Sequence, residues 1–529
     1  MKTAHSHHVA VLARQAPTRR QIVRALHSAG LELRFIERAA DLDSIQSPHL
    51  LLLDTDSTSA ADVTGCLERA GRGGVPVVML SLGSDKLALL QLMRSYGISH
   101  LVAKHGAVRA VYPLIDEREL QVTCQKVLRG DVFGLEKYIG GWGVKLHPFR
   151  VASMTEKARL LEAFEGYLTD LECPPAVVPD VLTVADELIV NALLHAPRDE
   201  GGKLTYEHLG PVPELAVAPE DAVDVTWGCD GQRLMLSVAD RFGALERERI
   251  THYLAKGFAP RRHAVEEKVG GAGLGLAMSL KRLHQLVFNV QPRVRTEVLA
   301  GWYLRVDTAS DFRQVSKSIN LFWQPESQAP ASTGAEGGET LTHFALPPLS
   351  VGEPSLSVKD ADLPRLSTPT SVAATGAESA AELSTRVLKR ITGRINERFD
   401  LPLPEAGALR LDLSGITGFT SAGIIRWLQW VAVLPARDVE LAACPEVVVR
   451  SACEVEGFLG RATVRSVMAP FECPSCFEAF TFELPVHELD VDSPRPCSGC
   501  GSTLRFAGLL HEYLAFRELV QGEKDGFSA

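Results

Sequence analysis

Four closely spaced glycines open a predicted amphipathic helix in VGGAGLGLAMSLKRL, residues 269–283. They are Gly270, Gly271, Gly273 and Gly275. Backbone N–H groups left bare by glycine, together with the positive end of a helix dipole, suit the oxygens of a polyphosphate. A structural turn without a ligand would show the same glycines, so this pattern needs support from other residues.

A second stretch, DELIVNALLHA at 186–196, is apolar after Asp186 except for a polar residue at every fourth position. These residues, which we call the polar ridge, are Glu187, Asn191 and His195. Because a helix turns once in about 3.6 residues, they would share one side of a helix. That side is either a solvated stripe or the wall of a pocket, where each unpaired polar group would cost about 1–3 kcal/mol.

A third stretch, SVADRFGALER at 237–247, places Asp240 just past a predicted strand and Gly243 close behind it. In this order and spacing, the three stretches resemble the ATP-binding domain shared by gyrase, its chaperone relative, sensor histidine kinases and mismatch-repair ATPases. That domain, the GHKL or Bergerat fold, is an α/β sandwich. We assign it residues 131–323.

The resemblance implies a role for each matching residue. Asn191 would ligate the Mg²⁺ that bridges the phosphates, as a hard oxygen ligand for a hard cation. Glu187, one helical turn earlier, would be the catalytic base that accepts a proton from the attacking hydroxyl or water. Asp240 would accept a hydrogen bond from the adenine amino group, and Gly243 would let the base approach.

The resemblance also implies a phosphate cradle and a lid. The cradle would be the backbone of Gly271, Gly273 and Gly275. Residues 246–269 would be a mobile lid over the nucleotide. For His195 two roles stay open, a structural one and assistance near the phosphates.

The residues ahead of this domain separate the branches of the superfamily. Residues 131–150 are too few and too rich in glycine for the histidine-bearing helical hairpin of sensor kinases. The run FRVASMTEKARLLEAFEGYL, residues 149–168, leads directly towards the polar ridge and resembles the anti-sigma-factor serine kinases of bacterial partner-switching systems. Within it, Ser153 and Glu156 form a capping box before an amphipathic helix.

Apolar runs at 9–12, 49–54, 75–80 and 100–104 predict buried parallel strands of a doubly wound α/β domain. Residues 1–130 resemble a response-regulator receiver, a flavodoxin-like fold. Asp54 stands at the phosphoacceptor position, and Ser81 and Lys104 match the residues that contact the phosphoryl group. The family's acidic pair is missing, because residues 13–15 are Ala-Arg-Gln.

Loss of the acidic pair removes carboxylates that would hold Mg²⁺, and Asp56 replaces one at most. Two interpretations of this pseudo-receiver stay open. Asp54 is a phosphoacceptor, or the domain serves interaction and dimerisation without phosphorylation.

A third block, residues 381–468, follows a Pro- and Ser-rich stretch at 324–380 that we interpret as a flexible linker. LRLDLSGITGFTSAGIIRWLQWV, residues 409–431, predicts a strand followed by a helix that opens at TSAG. It resembles STAS domains, the fold of anti-sigma-factor antagonists. The family's common phosphorylation position is Ala422 here, so Ser421 is either a phosphoacceptor or an N-cap.

Two CxxC pairs near the C-terminus are separated by residues 477–496. The four cysteines are Cys473, Cys476, Cys497 and Cys500. That spacing predicts a four-thiolate, structural Zn²⁺ site in a small β zinc ribbon, residues 469–529, with redox pairs or free thiols as the alternative.

The composition limits the classes of partner. The 529 residues carry a formal net charge of −10, which provides no basic footprint for nucleic acid or an anionic membrane. No sequence stretch is apolar and long enough to span a bilayer, and we expect a cytoplasmic location. Expected partners are proteins, including a STAS-domain anti-anti-sigma factor, a sigma factor or a second copy in a homodimer.

Together these features predict an α/β multidomain protein of bacterial signal transduction that uses ATP, Mg²⁺ and Zn²⁺. The favoured function is a serine/threonine-kinase-like ATPase that transfers the γ-phosphoryl group to a protein. One alternative is a non-catalytic, ATP-gated scaffold whose nucleotide changes which partner docks. Another is a histidine kinase.

Overall fold

The computed structural model describes residues 7–27, 29–83, 86–105, 113–174, 177–199, 201–206, 215–258, 274–304, 316–324, 387–399, 401, 409–434 and 439–525. They belong to one compact unit, residues 1–326 with 387–529, while residues 325–380 of the predicted linker 324–380 lie outside the described residues. Across the described ranges, no helix combines the length and apolarity needed to cross a membrane.

The described strands form three sheets. The large, 12-stranded sheet contains β1 His7–Leu12, β2 Leu31–Phe35, β3 Leu50–Asp54, β4 Val77–Ser81, β5 His100–His105, β6 Leu114–Ile115, β7 Leu146–Val151, β8 Val223–Cys229, β9 Arg233–Asp240, β10 Gln285–Gln291, β11 Arg295–Tyr303 and β12 Ser318–Trp323. The second sheet contains β13 Val387–Ile395, β14 Leu409–Phe419, β15 Val439–Ala442 and β16 Thr463–Val464. The third contains β17 Ser466–Glu472, β18 Ala479–Pro485 and β19 Arg505–Phe506.

The helices alternate with these strands over most of the chain. They are α1 Ala16–His27, α2 Ala60–Gly73, α3 Lys86–Tyr96, α4 Glu117–Arg129, α5 Met154–Asp170, α6 Val178–Val190, α7 Arg247–Phe258, α8 Leu274–Arg282, α9 Ser421–Val433, α10 Glu446–Glu454 and α11 Leu510–Asp525. A π-helical segment, Asn191–His195, continues α6.

The N-terminal block has the strand order β2-β1-β3-β4-β5, with all neighbours parallel. This is the flavodoxin-like doubly wound order. The four apolar runs are strands β1, β3, β4 and β5, as predicted, and β3 is fully buried because helices cover both faces of the sheet.

The second block adds the antiparallel strands β7, β8, β9, β11 and β10. Helices α5, α6 and α8 pack against them around Leu160, Phe164 and Leu188. The predicted cap of α5 is present, since Ser153 Oγ accepts from the Glu156 N–H at 3.1 Å. The Glu156 carboxylate accepts from the N–H of Ala152 at 2.7 Å.

Strand β12 joins the first two blocks into one sheet. It pairs in parallel with β10 and antiparallel with β5, where Ile319 lies opposite Leu101. Helix α4 reinforces this junction because the buried Lys126 donates from Nζ to Asn289 Oδ1 at 2.9 Å. The two blocks therefore share one continuous sheet.

The third block is a parallel sheet in the order β13-β14-β15-β16, with β14 running into α9 as predicted. Strands β17 to β19 form the antiparallel sheet of the part that carries the two CxxC pairs, which we call the cysteine block. Both blocks bury side chains in one apolar core that includes Leu411, Trp427, Phe471 and Phe516.

Candidate functional site

Helix α6 carries the polar ridge into the interior of the protein. Most of its residues are buried, and it changes to π-helical geometry at Asn191. Such wide turns occur frequently at functional sites because they displace the side chains that follow. The ridge does not face bulk solvent, since Glu187 is only 5% exposed and Asn191 and His195 line a cavity.

Glu187 receives two side-chain hydrogen bonds. Asn191 Nδ2 donates to its Oε1 at 2.8 Å, and Ser421 Oγ donates to its Oε2. Burial raises the pKa of Glu187, while the two donors lower it. Since the Asn191 nitrogen is turned towards Glu187, the amide oxygen is the atom that fits a role as Mg²⁺ ligand.

Gly275, in α8, leaves room for the carboxylate of Glu187. A Cβ atom added at Gly275 would lie 1.8 Å from the Glu187 carboxyl carbon, so a side chain there would displace the carboxylate. This contact joins the last residue of the predicted glycine cluster to the polar ridge. Gly271 and Gly273 lie outside the described residues.

Asp240 ends β9 and accepts a hydrogen bond from the N–H of Phe242 at 2.9 Å. Burial raises the pKa of Asp240 to about 6. Gly243 has a φ of +56°, and an added Cβ would lie 2.1 Å from the carbonyl oxygen of Gln291. Glycine at this position is thus required by the backbone of the β10–β11 turn.

One cavity brings the second and third stretches together. Asn191 and Asp240 both line it, with apolar walls from Val238, Ile250 and Phe288. The cavity and its open mouth together contain about 800 Å³ of empty space. Apolar walls with a buried carboxylate at one side fit a flat aromatic base that carries an amino group.

Helix α7 contributes Arg249 and Tyr253 to the same cavity. The sequence singled out neither residue, although α7 lies in the predicted lid and its cationic and aromatic residues were the available signal. The helix is held to the first block, because Arg247 donates to the Gly97 carbonyl at 2.8 Å and to Ser99 Oγ. Lid residues 259–269 lie outside the described residues.

Buried ion pairs dock the third block against α5, α6 and α8. Lys157 lies between Asp186, at 2.6 Å, and Glu397, at 2.9 Å. A second network has two members on each side of the interface. Its contacts are Arg450–Asp180 at 2.6 Å, Arg282–Glu454 at 2.9 Å and Arg282–Asp180 at 3.4 Å.

The N-terminus of α9 is thereby placed over Glu187. The N-cap interpretation of Ser421 is wrong, because Thr420 caps α9 and its Oγ1 accepts from the Gly423 N–H at 3.0 Å. Thr420 can take this position because its backbone is extended, while Ser421 is already helical. The Ser421 hydroxyl is consequently directed to Glu187.

Asp54 and Lys104 meet at the carboxyl ends of β3 and β5. Lys104 Nζ lies 2.5 Å from Asp54 and 2.6 Å from Asp56, and Ser57 Oγ donates to Asp54 at 2.6 Å. Arg14, at the position of the missing acidic pair, bonds Asp62 at 2.7 Å. This arrangement neutralises Asp54 with an ammonium group.

Four thiols converge in the cysteine block. The sulfur atoms of Cys473, Cys476, Cys497 and Cys500 all lie within 4.8 Å of one another. The residue after each pair, Phe477 or Gly501, has a positive φ, and the two turns have the same backbone hydrogen bonds. The donor set and spacing fit a tetrahedral Zn²⁺ site.

Comparison with known proteins adds receiver-domain neighbours for the N-terminal quarter of the chain. The signal receiver domain of an HD domain-containing protein from Pseudomonas fluorescens Pf-5 is 13% identical, with a TM-score of 0.21, over 25% of this chain and 92% of that one. A receiver protein from Burkholderia phymatum is 19% identical, with a TM-score of 0.20, over 23% and 95%. A response regulator from Thermotoga maritima is 15% identical, with a TM-score of 0.20, over 23% and 98%. No family model and no curated protein matches the chain.

Proposed function

We propose that this protein binds Mg²⁺-ATP in the cavity beside α6 and transfers its γ-phosphoryl group to a protein hydroxyl. One observation carries the proposal. Asn191 and Asp240 line the same cavity, and Asn191 is bonded to a buried carboxylate, Glu187, which also accepts from a serine hydroxyl.

The residues divide the work between binding and proton transfer. Asp240 and the apolar walls would hold the adenine, and Asn191 would hold the Mg²⁺ that offsets phosphate charge. Glu187 would take the proton from the attacking hydroxyl. Zn²⁺ at the four cysteines would have a structural role, because four protein ligands leave no open position.

An ATP-gated scaffold is the second candidate, and the contacts of α7 favour it. This helix lines the cavity through Arg249 and contacts the N-terminal block through Arg247. Nucleotide bound against α7 would therefore bias that contact without any phosphoryl transfer. A histidine kinase would differ from both candidates because its product carries the phosphoryl group on a histidine.

Titration calorimetry with ATP, with and without Mg²⁺, tests the binding step. We expect Asn191→Ala to abolish the Mg²⁺ dependence and Asp240→Asn to weaken binding at least about tenfold, since each loses a contact to a charged or polar ligand group. Asp230→Asn, in the distant β8–β9 turn, is the control. Unchanged binding in both site variants would refute the assignment.

Incubation with γ-labelled ATP then separates the two functions. Acid-stable label on a protein supports serine or threonine transfer, and alkali-stable, acid-labile label supports a histidine kinase. Binding of ATP with no label on any protein would favour the scaffold.

A further inference from the structure

We propose that Ser421 of the same chain is the phosphoryl acceptor, so that the second block phosphorylates the third block docked against it. This inference rests on the proposed function and names its substrate. The observation behind it is the hydrogen bond from Ser421 Oγ to Glu187 Oε2. It places a hydroxyl nucleophile on the carboxylate that is bonded to the candidate Mg²⁺ ligand, Asn191.

The docking contacts hold this hydroxyl in position. Lys157 bridges Asp186 and Glu397 across the interface, and all three side chains are at most 4% exposed. Thr183 Oγ1, which donates to the Pro179 carbonyl at 2.7 Å, also lies 3.4 Å from the Phe419 carbonyl, two residues before Ser421. In the docked arrangement each of these buried charges has an oppositely charged partner, so none of the three is left uncompensated.

The same docking closes the acceptor side of the site to a second protein. Glu187 is covered by Gly275 on one side and by Ser421 on another. A hydroxyl from another chain would need to displace α9 and break the buried ion pairs. We therefore infer a substrate within the chain in place of a separate STAS-domain partner.

The local structure also suits the phosphorylated product. Ser421 is the first residue of α9, which extends to Val433. The first backbone N–H groups of a helix stabilise a nearby dianion, and they would face a phosphate on Ser421. In the reaction, Glu187 takes the Ser421 proton, a bond forms between Oγ and the γ-phosphorus, and the bond from that phosphorus to the β,γ-bridging oxygen breaks to release ADP.

The test uses the full-length protein with Mg²⁺ and γ-labelled ATP, followed by peptide mapping. We expect label at Ser421, with a rate constant that does not change as the protein is diluted. Ser421→Ala should reduce the label to background, and Ser421→Thr should restore it as phosphothreonine. Ser414→Ala, on the preceding strand, is the matched control and should label like the native chain.

A mixture of two variants tests whether transfer occurs within one chain. Glu187→Gln should slow labelling by about 100-fold or more, because it removes the base. When Glu187→Gln and Ser421→Ala chains are mixed, we expect no more label than the Glu187→Gln chain acquires alone. Faster labelling at Ser421 of the Glu187→Gln chain in the mixture would show transfer between chains and overturn the inference.

The outcomes distinguish this inference from the proposed function. Undiminished label on the Ser421→Ala chain, or on an added protein only, overturns the acceptor assignment and leaves the kinase proposal standing. Absence of label from every protein, with ATP binding retained by calorimetry, overturns both. ATP binding by Ser421→Ala shows that a loss of label is not a loss of folding.

Discussion

At the scale of single residues, the candidate site depends on two glycines, which leave room for other groups, as much as on its polar side chains. Gly275 and Gly243 each occupy a place where a Cβ would overlap another group, the Glu187 carboxylate in one case and the β10–β11 backbone in the other. From the sequence, we expected both glycines to make room for a ligand. The structure shows an additional cause within the protein itself.

Gly275→Ala should therefore abolish phosphoryl transfer. The new methyl group would displace Glu187 from Asn191 and Ser421, and we expect label to fall at least about 100-fold, as for loss of the base. Gly71→Ala in α2 is the matched helical control, since a Cβ there meets nothing within 4 Å. Native labelling by Gly275→Ala would contradict the base assignment.

A buried carboxyl group at the junction of the first two blocks predicts a pH dependence. Burial is the main cause that raises the pKa of Glu119 from 4.5 to about 7, and the charge of Asp116 adds to this rise. The hydroxyl of Tyr303, which donates to Glu119 Oε2 at 3.0 Å, and the charge of Arg233 lower this pKa. The folded state thus binds this proton more tightly than the unfolded state. Its contribution to stability is complete below pH 4.5 and is lost as the pH rises through 7.

Glu119→Gln should remove that dependence. Thermal unfolding of the native chain and the variant at several pH values between about 4.5 and 8 measures it, and the native midpoint should fall relative to the variant as the pH rises. Glu117→Gln, two residues earlier, where the side chain is 42% exposed, should follow the native chain. Parallel curves for native and Glu119→Gln would refute the prediction.

At the scale of elements, local patterns predicted the strands and turns that depend on nearby residues. The β8–β9 hairpin turns at Gly231 with a φ of +83°, and β14 leads into a capped helix, because these conformations are set by neighbours in sequence. The early strand of the third block, β13, was not recognised, because VLKRITGRI lacks clear alternation. Strand β12 was also missed, since its partners β5 and β10 are distant along the chain.

The contacts that build the candidate site could not be predicted for the same reason. Ser421 and Glu187 are 234 positions apart, and Arg450 and Asp180 are 270 apart. Motif spacing identified Glu187, Asn191 and Asp240 individually, but only the tertiary fold places Ser421 against them. The CxxC pairs are the opposite case, because each turn brings its two ligands together locally.

The docking of α5 against the third block gives a stability prediction. Lys157→Ala leaves Asp186 and Glu397 buried without their cation, so we expect unfolding free energy to fall by about 3–5 kcal/mol and the label at Ser421 to decrease. Chemical denaturation and labelling measure the two effects. Arg159→Ala, exposed on the same helix, should change stability by less than about 0.5 kcal/mol.

At the scale of the whole molecule, the cysteine block is a part of the third block's core. Cys473 and Cys497 are buried together with Tyr513 of α11 and Val449 of α10. A metal at the four thiols would therefore stabilise more than the small β-sheet that contains them.

Purified protein should contain stoichiometric Zn²⁺ by emission spectrometry. Cys497→Ser should lose the metal and lower the unfolding temperature of the third block, because a hydroxyl is a poor replacement for a thiolate ligand. Cys229→Ser, outside the cluster, should retain the metal. Retention of full zinc content by Cys497→Ser would contradict a four-thiolate site.

The position of β12 bears on how this protein can be divided. A fragment cut after residue 130 would leave β5 with bare N–H and C=O groups where β12 had covered them, and would separate Lys126 from Asn289. Open strand edges invite pairing with other molecules. The domain boundaries predicted from the sequence are therefore poor truncation sites. Aggregation of such a fragment would reflect the loss of β12 more than the fragment's own function.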